Sequence, residues 1–442
     1  MADILPFRAF RYANDRSSKF SPAQVVTQPY DKITPALQDR YYSASPYNLV
    51  RIILGRHESN DNPANIVYSR AAAYFRDWRK KGVIRQDSLP SLYVYSQRFP
   101  APGLGGESST ILERRSFIAA GRIEDYAAGV VFRHELTLAK PKADRLDLLR
   151  ATRAHFGQIF MLYEDSGKVE SLLNINPEPD IAVTDEYGVL HRVWQVSDPE
   201  VIGSIRAAMS DKKLVIADGH HRYETALTYR NECRAAASSA APGSAAPHEF
   251  VMMTFVNMNS PALLILPTHR VVHSLMSFSE EAFVSSARNF FDIDELDVTL
   301  DAARATAILR ECGRAGTCIV AVTANRAFLL HHPNSNSNRS FAGLSVLQQS
   351  LDVVHLHKVL LENVLQLSEE SIRNQQNISY VRDAAEALSQ LQASPPADIV
   401  FLMNPCHVAQ VRDIAFSNEV MPQKSTDFYP KLLSGLTIYA LD

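Results

Sequence analysis

Residues 214–217, Leu-Val-Ile-Ala, run without a break into Asp218, Gly219, His220, His221 and Arg222, and then into the helical pattern YETALTYRNECRAAAS. An apolar run that meets a glycine and then a helix predicts strand, tight turn and helix over 214–230. Gly219 can take the positive φ, or the close approach to a ligand, that such a turn needs. A helix beginning there offers unpaired N–H groups and the positive end of its dipole, which together attract an anion. Arg222 adds a bidentate grip for phosphate oxygens, and His220 and His221 can donate to them or shuttle a proton. Asp218 can cap the helix, accept a hydroxyl proton or hold Mg2+. The purely structural reading has Asp218 capping, Gly219 turning and the histidines satisfied. Two histidines and an arginine are more polar equipment than a turn requires.

The surroundings narrow the fold. No G-x-x-x-x-G-K-[ST] loop and no G-x-G-x-x-G fingerprint occurs, and helices and strands alternate too irregularly for a doubly wound parallel sheet. The pattern is α+β. At 442 residues the chain exceeds what one core ordinarily supports. The expected division is a core over 1–274 carrying the motif turn and a large insertion, then an α/β sandwich module over 275–343. A mostly helical segment over 344–442 ends in the strand-like GLTIYAL, which returns to the core. Loops are expected at 101–109 (a hairpin tip), 235–247 (a low-complexity connector), 331–340 and 392–398.

Forty-five basic residues against 48 acidic ones give a net charge of −3, which disfavours a general nucleic-acid binder. The four cysteines form no C-x-x-C pair and read as reduced thiols of a cytoplasmic protein. The start, MADILPFRAFRYAND, lacks the apolar core of a signal peptide, and no run of about 18 apolar residues suggests a membrane span. A helical zinc motif fails, because RHELT has Leu138 where a second histidine would stand. No metal ligands are assigned.

Other polar groups cluster in four places. VVTQPYDKITP presents Asp31 in a turn, either toward a ligand or as a cap for the helix after Pro35. VVFRHELTLAKPKADRLDLLRATRAHF sets His134 and Glu135 in a loop, with Lys142 and Arg145 on the helix that follows. Loops on a scaffold commonly present chemistry, so His134 and Glu135 are expected to reach the pocket beside the 218–222 turn. LPTHRVV holds His269 and Arg270 inside a strand, either as phosphate-binding groups or with His269 as a satisfied core histidine, and His355 and His357 read as structural. MPQKSTDFYPKLLSGL offers Lys424, Ser425 and Thr426 as an anion cradle, then Lys431.

IADGHHRYETAL, with PYDKI, RHELTLAKPKADRLDLLRATR, LPTHRVV and MPQKSTDFYPKLLSGL, resembles the domain-of-unknown-function 1015 family over essentially the whole chain. The ADGHHR strand-turn-helix is also similar to the nucleotide-binding turn of ParB/sulfiredoxin-like folds, in particular that of free-serine kinases. This resemblance implies a ParB/sulfiredoxin-like mixed sheet whose turn holds nucleotide phosphates, with ATP or ADP and Mg2+ as partners and an upstream acid activating the serine hydroxyl. The expected activity is phosphotransfer or phosphate-ester chemistry on a small amino or hydroxy acid, serine or phosphoserine. Glu135 or Asp31 would be the base, with Arg145, Lys424 and Lys431 balancing negative charge. The alternatives are a phosphoserine phosphatase-like hydrolase, and a non-catalytic nucleotide-binding ParB-like protein that binds DNA or a partner.

Overall fold

The Phe250–Asn257 strand is buried at all eight positions, as a strand covered on both faces must be, and a mixed sheet is built around it in the computed structural model. The structure describes residues 2–13, 20–59, 61–62, 66–102, 110–137, 139–173, 178–236, 246–297 and 299–442, without the side chains of 139 and 140. Two units are formed. One comprises Met1–Arg133, Thr137–Leu264 and Pro430–Asp442, the other His134–Leu136 and Ile265–Tyr429. The expected hairpin tip at 103–109 and most of the 235–247 connector lie outside the described residues.

The first unit carries a nine-stranded sheet among the described residues. Its order is Val131–Phe132, Leu214–Asp218, Ile159–Tyr163, Phe250–Asn257, Ile111–Arg122, Leu92–Pro100, Leu190–Val196 and Ile181–Thr184, with Ile4–Leu5 also on the Ile111–Arg122 strand. Leu214–Asp218 runs parallel to Val131–Phe132 and antiparallel to Ile159–Tyr163, and a bulge between Ile216 and Asp218 breaks the register at the strand's end. Helix His220–Ala236 buries Tyr223, Ala226 and Arg230, spaced three and four apart on one face. It packs against helix Ala139–Thr152. One apolar cluster includes Ile216, Tyr223 and Phe255, and a second includes Trp78, Leu148 and Phe156.

The second unit holds a six-stranded sheet in the order Asp292–Leu296, Ala327–His331, Cys318–Val322, Ile399–Met403, His269–Val272 and Ile378–Val381. Every pairing is antiparallel. Strands from before 274, from 275–343 and from after 344 are therefore hydrogen-bonded into one sheet. The sequence suggested divisions at 274 and 343; the two units are divided after Leu264 and Tyr429, with 134–136 in the second. A rare π-helical stretch, His355–Val364, buries both His355 and His357. Among the described residues no helix is long and apolar enough to cross a membrane.

Candidate functional site

The strand Leu214–Asp218 ends, Gly219 takes φ +96°, and the helix begins at His220. The Tyr223 N–H donates to Gly219 O at 2.9 Å, closing the first helical turn. Asp218 is thus held at the end of a sheet strand and the start of a seventeen-residue helix. Arg222 Nη2 donates to Asp218 Oδ2 at 2.8 Å, and Lys431 Nζ lies 3.4 Å from Asp218 Oδ1. Burial pushes the Asp218 carboxyl up, but Lys431, Arg222, Lys32 and His220 together outweigh it and hold the group well below the usual carboxylate range. One acid is ringed by cations.

A cleft open to solvent lies beside this turn, lined by Arg222 and Thr225 from the helix and by Tyr30 and Arg145. Ile53, Leu148, Leu149 and Phe156 supply apolar wall. The Arg145 guanidinium sits 4.2 Å above the Tyr30 ring and donates to Ile53 O at 2.6 Å. Burial and the Asp31 charge push the Tyr30 phenol up to about 12, against the pull of Arg145 and Arg222, so it stays protonated. His155, also in the wall, is pushed down to about 4 by burial and is neutral at pH 7. The buried Thr225 hydroxyl and both ends of the Gln158 side-chain amide have no hydrogen-bond partner among the described residues.

Lys431 is placed by a buried arginine. Arg114, fully buried, donates through Nη2 to Pro430 O at 2.5 Å and through Nε to Gln97 Oε1 at 3.2 Å, while Gln97 Nε2 donates to Lys431 O at 2.8 Å. Burial lowers the Arg114 guanidinium to about 9, which leaves it charged at pH 7. Lys142 points to a different acid: its Nζ is 3.0 Å from Glu224 Oε2, which also accepts from Thr137 at 2.5 Å. Asp31 is exposed on the short Tyr30–Lys32 turn.

The remaining residues read from the sequence belong to the second unit. His134 Nε2 lies 2.9 Å from Thr426 Oγ1, and His134 O accepts from Met421 N at 2.8 Å. Glu135 Oε1 is 3.5 Å from Lys424 N, and Arg270 Nη2 donates to Lys424 O at 3.1 Å. The Ser425 hydroxyl donates to Pro422 O at 2.5 Å. Lys424 has φ +58°, so these bonds hold a tight turn in which both hydroxyls are engaged. His269 Nδ1 accepts from Met403 N at 3.1 Å, and burial together with Arg270 lowers its pKa to about 4.

Two sets result. Asp218, Gly219, His220, His221, Arg222, Arg145, Lys431, Lys142 and Asp31 lie in the first unit, and His134, Glu135, His269, Arg270, Lys424, Ser425 and Thr426 in the second. Lys32, His155 and Thr225 were not singled out by sequence, whereas Tyr30 was read with Asp31 in the same turn. Lys32 follows that pair, so only its neighbourhood was signalled; the others matter through burial, which has no local signature.

Fold and site define a mixed α/β protein with a large mixed sheet and several smaller ones, carrying a cation-ringed acid at a strand's end. The chain belongs to the family described as Protein of unknown function (DUF1015), which matches residues 4–354. No curated protein matches it. Among solved structures it is similar to a free serine kinase in complex with AMP, at 12% identity and a TM-score of 0.34 over 70% of this chain and 89% of that one. A conserved hypothetical protein from Pyrococcus furiosus is 10% identical, with a TM-score of 0.34 over 68% and 87%. C-terminally truncated SbnI from Staphylococcus aureus is 9% identical, with a TM-score of 0.35 over 72% and 85%. At such identities and scores, function has to be argued from the residues.

Proposed function

We propose that this chain is a phosphotransfer enzyme on a ParB/sulfiredoxin-like core, with serine or phosphoserine as its small substrate and ATP or ADP as its nucleotide. The observation that carries the reading is the ring of Lys32, Arg222 and Lys431 around Asp218 at a helix N-terminus beside an open cleft. Three cations facing one carboxylate leave positive charge to spare, which suits the several charges of a nucleotide phosphate. Phosphoryl transfer asks a protein mainly for positioning and electrostatics.

In this reading Asp218 is a fixed anion that orients Arg222 and Lys431. A carboxylate held so far below working pH is a weak proton acceptor. Asp31, exposed on the neighbouring turn, takes the proton of the substrate hydroxyl as its oxygen bonds to phosphorus and the bond from phosphorus to the departing nucleotide oxygen breaks. Mg2+ does not fit Asp218, because each carboxylate oxygen already faces a cation, and no step is routed through the metal. Phosphorus NMR with serine plus ATP or ADP, and separately with phosphoserine alone, tests the proposal. Transfer supports it, phosphate release alone indicates a hydrolase, and no reaction in either mixture overturns it. A salt titration with duplex DNA is expected to show no affinity even at low salt.

A further inference from the structure

Neighbouring residues of a strand send their side chains to opposite faces, so His331 and His332 should diverge. They do not. The Ala327–His331 strand ends, His332 takes φ +44°, and the two rings meet edge to face with centroids 4.5 Å apart. Positive φ is uncommon for any residue but glycine, and here it brings the two Nδ1 atoms within 2.9 Å of each other. His331 Nε2 lies 3.0 Å from Asp294 Oδ2. A carboxylate can only accept, so Nε2 carries the proton and Nδ1 of the neutral ring is a lone pair aimed at His332.

Asp292 stands directly across the ladder from His331. Its Oδ2 is 3.7 Å from His332 Nδ1, beyond a hydrogen bond. One ligand atom from each of Asp292, His331 and His332 falls within 4.8 Å of the other two. A tetrahedral zinc ion bonded at about 2.0–2.1 Å holds its ligand atoms about 3.3–3.4 Å apart, a spacing bracketed by the 2.9 and 3.7 Å separations.

We propose that Asp292, His331 and His332 form a divalent transition-metal site at the edge of the second sheet, separate from the residues of the phosphotransfer reading. Two imidazoles and one carboxylate select zinc or a similar ion over magnesium or calcium, which prefer all-oxygen sites. Asp294 is the positioning residue: it fixes the His331 tautomer from behind, as a carboxylate does for many metal-bound histidines. Three protein ligands leave a fourth position for water.

The test uses the full chain, free of any histidine tag and stripped with a chelator. Zn2+ is titrated by calorimetry, and Co2+ is followed by visible absorption. One equivalent of Zn2+ is expected to bind with micromolar or tighter affinity, with a visible band appearing on Co2+ addition. His332→Ala should weaken Zn2+ binding at least about tenfold, and Asp294→Asn by about 10–100-fold, the usual range for the residue behind a ligand. A chain that takes up no Zn2+, or a His331→Ala/His332→Ala double variant that binds it like the parent, overturns the proposal. Should the double variant melt early, His332→Ala decides alone, because that side chain is 64% exposed and contributes nothing to the core.

Discussion

Replacing Lys431 by methionine tests the cation ring most directly. The side chain is 9% exposed, so methionine fills nearly the same space and removes only the charge. At 3.4 Å from Asp218 Oδ1, the gross attraction is about 5 kcal/mol at an effective dielectric near 20. Desolvation of the ammonium consumes much of that, leaving the roughly 1.5–3 kcal/mol usual for a hydrogen bond to a charged group. A phosphate held in the same ring should lose a similar amount, which is about 10- to 150-fold in affinity. Lys431→Met is therefore expected to weaken ADP and phosphoserine binding by that factor in calorimetry. The Asp218 carboxyl should rise toward its ordinary range, restrained by Arg222, Lys32 and His220. Unchanged affinity for both ligands refutes the reasoning, whatever the melting temperature does.

Gly219→Ala should lower stability by about 1–2 kcal/mol from positive-φ strain and weaken phosphate binding, because the new Cβ would lie 3.1 Å from the Arg222 guanidinium carbon; thermal melts and calorimetry check both effects. Asp31→Asn is expected to leave ADP affinity near the parent's and abolish transfer in single-turnover assays, whereas full activity would remove Asp31 as the base. His155 titrates at about 4 folded against 6.5 unfolded, so the unfolded chain binds more protons between those values. Its contribution to stability is complete above about pH 6.5 and is lost as pH falls toward 4. His155→Gln should flatten that part of the melting-temperature profile, measured by calorimetric scans from pH 4 to 7.

The strand-turn-helix around Asp218 was legible because every signal for it is local: four apolar residues, a glycine and a helical period. Lys431 was suspected only for its charge, and its meeting with Asp218 is set by Arg114 and Gln97, hundreds of residues upstream. Lys142 shows the opposite failure. Its charge suggested a ligand, yet it is paired with Glu224, an acid one turn into the 220–236 helix. Ser425 and Thr426 read as part of an anion cradle, and both hydroxyls are engaged in internal hydrogen bonds. The two units escaped notice because a sheet joins segments by ladder bonds that composition does not record. His355 and His357, read as structural, are both buried on a helix wound more loosely than the usual 3.6-residue period.

The thirteen residues Pro430–Asp442 complete the first unit, although the chain makes them only after all of the second. A ribosome therefore exposes the Asp218 turn long before its lysine exists. Until that last stretch docks, through backbone bonds between Thr27 and Ser434 and between Phe10 and Ile438, Arg114 lacks its bond to Pro430 and the acid lacks Lys431. Nascent or clipped chains would hold a strand, a turn and a helix in nearly final form and yet grip phosphate poorly. A protease that cuts the chain before Lys431 would silence the turn without touching it.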